Sequence, residues 1–301
     1  MTLQQLKYTV TVAETGTFSE AAKLLFLSQP SLTKSIKELE KEMKITIFDR
    51  TNKGISVSKE GEIFLGYARQ VLEQAALLEE KYKNHAGGKQ KFRVSTQHYS
   101  FAVNAFVDLI KKYGGNEYDF SLRETQTFNI IEDVSQMNSE IGILYYNAFN
   151  RMVIEKLLKS NDLRFTQLFT AKPHIFVSSR NPLAQKSFVK MEDLTPYPYL
   201  SYEQGKHNSF YFSEEIFSTE IRSKNIRVMD RATLFNLLIG LNGYTICSGV
   251  IDRELNGENI VAVPLQAEGE MHIGVITHKK ATLSRLGAYY IETLKKYTDN
   301  N

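Results

Sequence analysis

The fold of the N-terminal part is decided by residues 18–40, which read FSEAAKLLFLSQPSLTKSIKELE. Thr17 stands just before this stretch, and Glu20 lies three residues after Thr17. This spacing is the pattern of a capping box at a helix start. Ser28 is a good N-cap for another helix, and Pro30 fits its first turn because the N–H groups there have no partner within the helix. The stretch therefore predicts two helices joined by a short turn.

The flanking sequence extends this pair of helices into a small domain. Before it, apolar residues recur at three- and four-residue spacing as far as Gly16, which predicts a first helix carrying Leu3, Leu6, Val10 and Ala13. After it, residues 45–48 and 55–57 flank a polar turn, which predicts two short strands. Helices followed by a β-hairpin are the layout of a winged helix-turn-helix.

In such a domain, the second helix of the pair enters the major groove of DNA, and side chains of the wing approach the backbone. Gln29 presents an amide that can pair with both N6 and N7 of adenine. The other candidates supply hydroxyls for bases or phosphates and positive charge for phosphates, namely Ser31, Thr33, Lys34, Arg50 and Lys53. Two helices joined by a short turn also occur in proteins that bind no DNA, so the spacing alone leaves both interpretations open.

Residues 59–82 contain no proline and predict one long helix. Apolar residues repeat along it as a heptad seam, made of Phe64, Ala68, Val71, Ala75, Leu78 and Tyr82. Such a seam packs either on the protein's own core or on a second copy. Its position between two predicted domains favours the second copy. Residues 84–88, which include Gly87 and Gly88, end the helix and mark the domain boundary.

From Lys91 onward, short apolar strands alternate with helices, which predicts an α/β domain with a largely parallel sheet. The sequence contains none of the phosphate-binding, dinucleotide-binding, zinc-protease or serine-hydrolase motifs. Cys247 and Ser248 follow a strand, but no histidine lies nearby in sequence to activate either as a nucleophile. The six histidines have no spacing typical of metal ligands. We therefore expect a binding domain that holds no metal or cofactor.

Two predicted strand-to-helix turns are rich in hydroxyl and amide groups. The first contains Ser95, Thr96 and Gln97, and the second contains Thr125 and Thr127. Backbone N–H groups at a helix start, together with nearby hydroxyls, can bind an anion. The same residues can instead cap their own helices. If they form a site, its ligand is expected to be a small anionic or amino-acid-like metabolite.

The whole-chain composition is that of a globular protein. Of 301 residues, 42% are hydrophobic and 24% are charged, which excludes a disordered chain. The net charge of +3 permits DNA binding without requiring it. A single cysteine excludes an internal disulfide and fits the cytoplasm. Neither a signal peptide nor a membrane-spanning run is recognisable, so we expect a cytoplasmic protein without membrane contact.

Residues 18–40, with 47–50 and 57–61, closely resemble the N-terminal motif of LysR-type transcriptional regulators. The resemblance implies that Gln29, Pro30, Thr33 and Lys34 lie at the DNA major groove and that Arg50 supports the wing. It also implies dimers formed by antiparallel linker helices, commonly joined into tetramers. Expected partners are promoter DNA, a small-molecule effector, other copies of the chain and RNA polymerase. Two residues depart from the family pattern: Phe26 is bulky for this turn, and Lys34 stands where arginine is more common.

The family further implies a domain order. Residues 1–58 would form the winged helix-turn-helix, 59–90 the linker helix, and 91–301 an effector-binding domain that resembles periplasmic binding proteins. Its first subdomain would comprise about 91–161 with 268–301, and its second about 162–267. The effector would lie in the cleft between them, near Ser95, Thr96, Gln97, Thr125 and Thr127, with Ser201 and Tyr202 opposite.

Two alternatives remain at this point. One is a ligand-independent DNA-binding protein in which the cleft is vestigial or contacts other proteins. The other is an α/β enzyme with a helical dimerisation arm, which would turn over its ligand and show no salt-sensitive DNA binding.

Overall fold

The computed structural model describes residues 1–51, 54–82, 90–207, 209–251 and 257–297. The chain divides into two compact units, the first built on the N-terminal helices and hairpin and the second on the strands and helices from Gln90 onward. Among the described residues, no helix is long and apolar enough to cross a membrane.

The first unit is a winged helix-turn-helix followed by a long helix, as predicted. Its elements are α1 (Leu3–Thr15), α2 (Phe18–Leu24), α3 (Gln29–Met43), β1 (Phe48–Thr51), β2 (Gly54–Val57) and α4 (Lys59–Tyr82). Each of the first three helices has a side-chain N-cap, supplied by Thr2, Thr17 and Ser28. Gly16 ends α1 in the left-handed conformation with φ of 72°, which glycine adopts without strain.

The first strand begins later than predicted, at Phe48 rather than Ile45. The reason is a side chain of α3. One carboxylate oxygen of Glu40 accepts hydrogen bonds from the backbone N–H groups of Ile47 (2.7 Å) and Phe48 (3.1 Å). Because Glu40 takes these donors, the segment before the hairpin is tied to α3 instead of being paired in a strand.

Helix α4 uses part of the predicted seam inside its own unit. Ala68 is buried and Phe64 packs against the core of the winged domain. Val71 and Leu78 are exposed at 42% and 61%, and Ile63, about two turns before Val71, is exposed at 61%. Val71 and Leu78 of the predicted seam therefore remain available to a partner, together with Ile63, which lies outside the seam.

The second unit contains two five-stranded sheets. The elements of the first are β3 (Gln90–Thr96), β4 (Tyr118–Glu124), β5 (Ile141–Tyr146), β6 (Leu163–Ala171) and β12 (Met271–His278), in the order β4-β3-β5-β12-β6. The second comprises β7 (His174–Ser178), β8 (Tyr199–Tyr202), β9 (Asn225–Val228), β10 (Tyr244–Cys247) and β11 (Ile260–Pro264), in the order β11-β7-β10-β8-β9. The α-helices are α5 (Ser100–Tyr113), α6 (Thr127–Ser135), α7 (Arg151–Ser160), α8 (Arg231–Gly240) and α9 (Arg285–Lys296).

The sheets are mixed, so the prediction of a largely parallel sheet was wrong. Strand β3 pairs in parallel with β4 and β5, whereas β12 runs antiparallel to β5 and β6. The start of β12 lies beside the ends of β5 and β6, with His272 opposite Tyr146 and Met271 opposite Ala171. The chain leaves the first sheet after β6 and returns at this same edge, so the returning strand must run in the opposite direction.

The first crossing between subdomains comes later than the expected position near residue 162. Strand β6 still belongs to the first sheet, and the chain crosses between Ala171 and His174. It crosses back between Pro264 and Met271, close to the expected position. The two connections lie at the same edge of the first sheet, which is a suitable arrangement for a hinge between two subdomains.

Candidate functional site

The first candidate site is the polar face of α3. Leu32, Ile36 and Leu39 are almost fully buried in the core of the winged domain. Gln29 and Lys34 therefore lie on the opposite face, where they are exposed. The helix is rigidly held by its apolar face, which leaves the other face free to enter a groove.

All the predicted α3 residues lie within the first turn and a half of this helix. Gln29, Pro30, Ser31 and Lys34 are exposed, and Thr33 is half-buried. The amide oxygen of Gln29 accepts a hydrogen bond from the Ser19 hydroxyl at 2.9 Å, which orients the amide. Lys34 approaches Glu38 only loosely, at 4.0 Å with both side chains well exposed, so its charge remains available.

The hairpin carries the two remaining DNA-contact candidates. Arg50 lies in β1, where its backbone pairs with Ile55 of β2. Lys53 falls in the turn between the strands and lies outside the described residues.

The second candidate site is a cavity of about 40 Å³ in the second unit, at the ends of several strands. It is lined from the first subdomain by the start of α5 and from the second by the ends of β8 and β10 and the start of α8. Ligands of open α/β sheets bind outside the carboxyl ends of the strands, and this cavity has that position.

An ion pair crosses the cavity wall between the subdomains. His98, in the turn between β3 and α5, places its Nδ1 2.9 Å from a carboxylate oxygen of Glu214, which belongs to the second subdomain. The same carboxylate accepts a hydrogen bond from the backbone N–H of His98 at 3.0 Å. The imidazole also stacks on Tyr202, with ring centres 3.8 Å apart. Desolvation opposes protonation of His98, but the hydrogen bond and charge of Glu214, together with the charges of Glu124 and Glu215, outweigh it and raise the pKa of the imidazole.

Two further carboxyl groups lie at this wall. Glu215 accepts a hydrogen bond from the backbone N–H of Tyr202 at 2.8 Å, and burial together with the neighbouring Glu214 raises its pKa to about 8. Glu124, at the end of β4, pairs with Arg231 of α8 at 2.9 Å, and burial raises its pKa as well. The second ion pair also joins the two subdomains.

Most of the predicted effector residues lie in a buried hydrogen-bond network outside the cavity lining. The Ser95 hydroxyl donates to Asp133 at 2.6 Å and bonds to Ser139 at 2.8 Å, and the Thr96 hydroxyl donates to the carbonyl of Gln97. The Gln97 amide donates to the Thr127 hydroxyl at 2.6 Å. These polar groups already satisfy one another, so a ligand is not needed to satisfy them.

Thr127 connects the two subdomains directly. Its hydroxyl donates to the carbonyl of Phe212 at 2.7 Å, and its backbone N–H donates to the side chain of Gln204 at 3.1 Å. Thr125 is half-buried beside α6, and Ser201 is half-buried on β8; neither lines the cavity. Among the predicted effector residues, Tyr202 is the one in the lining.

Cys247 lines the cavity but is not activated. Burial raises the pKa of its thiol, which disfavours the thiolate that a nucleophile requires.

Sequence reasoning missed the charged residues of this wall. Glu214 is 116 positions from His98, and no local spacing connects the two. One signal was present: His98 directly follows the predicted loop Ser95-Thr96-Gln97.

Two family models match the chain. The model of the bacterial regulatory helix-turn-helix protein, lysR family, matches residues 3–62, and that of the LysR substrate binding domain matches residues 94–299. The HTH-type transcriptional regulator AlsR of Bacillus subtilis (strain 168) is 25% identical over 304 residues, covering 100% of this chain and 92% of AlsR.

Solved structures share the fold over the full length. Full-length OxyR of Pseudomonas aeruginosa, in a variant form, superposes with a TM-score of 0.68 at 17% identity, covering 98% of each chain. CbnR, a LysR family transcriptional regulator, gives a TM-score of 0.58 at 18% identity, covering 99% of each chain.

Proposed function

The chain belongs to the LysR family of transcriptional regulators, and from this membership we propose how its two units act. It is a DNA-binding regulator of the LysR type with an effector-binding domain. We assign sequence recognition to the exposed start of α3, with Gln29 on a base edge and Lys34 on phosphate. The observation that carries this assignment is the division of α3 into one face buried in the core and one exposed polar face. Pro30, Ser31 and Thr33 complete the surface, and Arg50 and Lys53 belong to the wing.

The effector site is the cavity between the subdomains. Its present volume of about 40 Å³ holds only a few water molecules, so a metabolite enters only when the subdomains separate. Separation breaks the contact of His98 with Glu214 and that of Thr127 with Gln204. A ligand that binds the separated state better than the closed one shifts the population between them and so alters promoter binding or DNA bending. The ligand class expected from the sequence is an anionic or amino-acid-like metabolite.

The remaining parts of the proposal concern assembly and location. We assign the exposed stripe of α4, which includes Ile63, Val71 and Leu78, to pairing with a second copy. Two such dimers then join into a tetramer. The protein acts in the cytoplasm on promoter DNA, with RNA polymerase as a further partner. We further propose that it is not an enzyme, because relatives such as AlsR are transcriptional regulators.

The test is a fluorescence-anisotropy binding assay on chromosomal fragments, including the promoter upstream of the protein's own gene, at two salt concentrations. We expect specific, salt-dependent binding to at least one fragment. Gln29→Ala should weaken specific binding about tenfold or more and reduce the preference over non-specific DNA, whereas the exposed control Gln185→Ala should change neither. An unchanged affinity and preference in Gln29→Ala would show that the recognition assignment is wrong.

A second pair of variants separates phosphate contacts from base contacts. Lys34→Ala should weaken binding to all sequences similarly and lower the salt dependence by about one counterion, whereas the exposed control Lys159→Ala should leave it unchanged.

A further inference from the structure

Carboxyl groups outnumber cationic side chains at the polar wall of the cavity. Glu214 and Glu215 both line it, and Glu124 lies at the same wall through its ion pair with Arg231. Arg231 and His98 are the cationic side chains among the described lining residues, and each is already paired with a carboxylate. An incoming carboxylate or phosphate would therefore compete with the protein's own carboxylates for both cations. Among the described lining residues no cation is left unpaired for an anion, whereas the uncharged carboxyl group of Glu215 can ionise beside a cation.

An unsatisfied hydroxyl lies in the same lining. Thr245 of β10 is 4% exposed, and its Oγ1 is buried without a hydrogen-bond partner in the part of the chain that the structure describes. A buried polar group without a partner is destabilising, and such groups are rare in folded proteins. A ligand that donates a hydrogen bond would satisfy this hydroxyl. This observation does not depend on the carboxyl groups, and it also favours a ligand that donates hydrogen bonds, as a cationic amine does.

The other walls are apolar and aromatic. Phe176, Leu234, Phe235 and Ile246 line the cavity, together with the ring of Tyr202. Aromatic rings bury the hydrocarbon part of a ligand and also attract a cation placed over their faces. A small ligand with a positive end and an apolar body matches both halves of the lining.

We propose that the effector carries a protonated amine, held between the carboxyl groups of Glu214 and Glu215 and the hydroxyl of Thr245, with its apolar part against the aromatic walls. This proposal rests on the proposed function, in which the cavity is the effector site. An ammonium group has three donors and no acceptor, so these three oxygen-bearing side chains suit it. Of the two ligand classes expected from the sequence, the amino-acid-like one fits this lining and the purely anionic one does not.

The protonation state of Glu215 adds a measurable consequence. Because its pKa is raised to about 8, the carboxyl group holds a proton at neutral pH in the closed form. An ammonium group beside it favours the carboxylate, so binding releases that proton to the buffer. Amine binding at pH 7 should therefore release close to one proton per site.

The experiment uses the full-length protein and two pairs of probes with similar skeletons, benzylamine with benzoate and butylamine with butyrate, at millimolar concentration. We expect the melting temperature to rise with at least one amine and to stay unchanged with its carboxylate partner. Calorimetric titration of that amine in buffers of different ionisation enthalpy should show the proton release. A rise with a carboxylate alone, or no rise with any of the four probes, overturns the proposal.

Variants tie the effect to the site. Glu215→Gln keeps an uncharged group of the same size, so it should fold, weaken amine binding about tenfold or more and reduce proton release. Thr245→Val removes the unsatisfied hydroxyl and should also weaken amine binding, without lowering the melting temperature of the free protein. The exposed control Glu203→Gln should bind the amine as the unchanged protein does. Equal amine affinity in Glu215→Gln and Glu203→Gln would overturn the assignment.

DNA binding distinguishes the failure of this inference from failure of the proposed function. If the protein binds its promoter fragment and only carboxylates raise its melting temperature, the ligand class is wrong and the regulator stands. If amines bind through Glu215 but no fragment is bound specifically, the cavity assignment stands and the regulatory role fails.

Discussion

His98 and Glu214 form one ion pair, but removing His98 should lower the free energy of unfolding more than removing Glu214 does. The side chains are 4% and 6% exposed, so both charges are shielded from water and removing one leaves the other buried. The consequences differ because an imidazole with an ordinary pKa of about 6.5 is largely neutral at pH 7. Removing His98 instead leaves a buried carboxylate whose charge has lost its partner.

The two variants that test this are His98→Phe and Glu214→Gln. Phenylalanine keeps a ring against Tyr202 and removes the Nδ1 partner, which leaves the carboxylate with the backbone N–H of His98 and the amide of Gln204. Since those two donors remain, we expect a loss of about 2–3 kcal/mol in the free energy of unfolding. Glutamine can still accept from the backbone N–H and hydrogen-bond the neutral imidazole, so its loss should be about 1 kcal/mol.

The assay is urea unfolding of the full-length variants at equal concentration, followed by far-ultraviolet circular dichroism at pH 7 and pH 5. The free energies of unfolding of the two variants should differ by about 2 kcal/mol at pH 7. The difference should narrow at pH 5, because an imidazole is charged there in the unfolded chain and burying it without Glu214 then costs more. Equal losses at pH 7, or a larger loss for Glu214→Gln, would refute the reasoning.

Because the pKa values of His98 and Glu215 are raised, the folded protein binds protons that the unfolded chain releases. The free energy of unfolding should therefore fall as pH rises from about 5 to 8. In denaturant titrations, Glu215→Gln should reduce the slope of this free energy against pH by up to about 1.4 kcal/mol per pH unit. Ser95→Ala should lower the free energy of unfolding by about 1–2 kcal/mol, because it removes a bond to the Asp133 carboxylate, and should leave amine affinity unchanged in calorimetry. Gly61→Ala should lower the melting temperature and weaken DNA binding, because a Cβ there collides with the carbonyl oxygen of Ile47 at the base of the wing, at a cost of about 1–3 kcal/mol. The exposed control Gly257→Asn, at a left-handed position in open space, should change neither the melting temperature nor DNA binding.

The sequence was informative where the structure depends on local signals. The caps at Thr17 and Ser28 and the apolar face through Leu32, Ile36 and Leu39 are set by residues a few positions apart, and the structure confirms them. The start of the wing was misplaced because it depends on a bond from Glu40 to a backbone seven and eight residues away, which no periodicity reveals.

Non-local features were the ones that the sequence could not supply. The direction of β12 and the membership of β6 in the first sheet depend on where the chain crosses between subdomains. The polar wall of the cavity joins His98 to Glu214 and Glu124 to Arg231, pairs separated by more than one hundred positions along the chain. The hydroxyl-rich loops lie beside the cleft between the subdomains, but Ser95 and Thr127 use their hydroxyls in internal hydrogen bonds.

The contacts across the cleft are polar, and this keeps the free-energy difference between the closed and open forms small. Besides the two ion pairs, the bonds from Thr127 to Gln204 and Phe212 and from Asn150 to Tyr211 connect the subdomains. When such contacts open, water solvates the released charges and amides. Each contact therefore stabilises the closed form by far less than the energy of the same interaction in a protein interior without water. The closed and open forms can then differ by only a few kcal/mol. A ligand must favour the open form by about 5.5 kcal/mol to move the population from 1:99 to 99:1, and one buried ammonium group with two carboxyl partners and a hydroxyl is sufficient for a preference of that order.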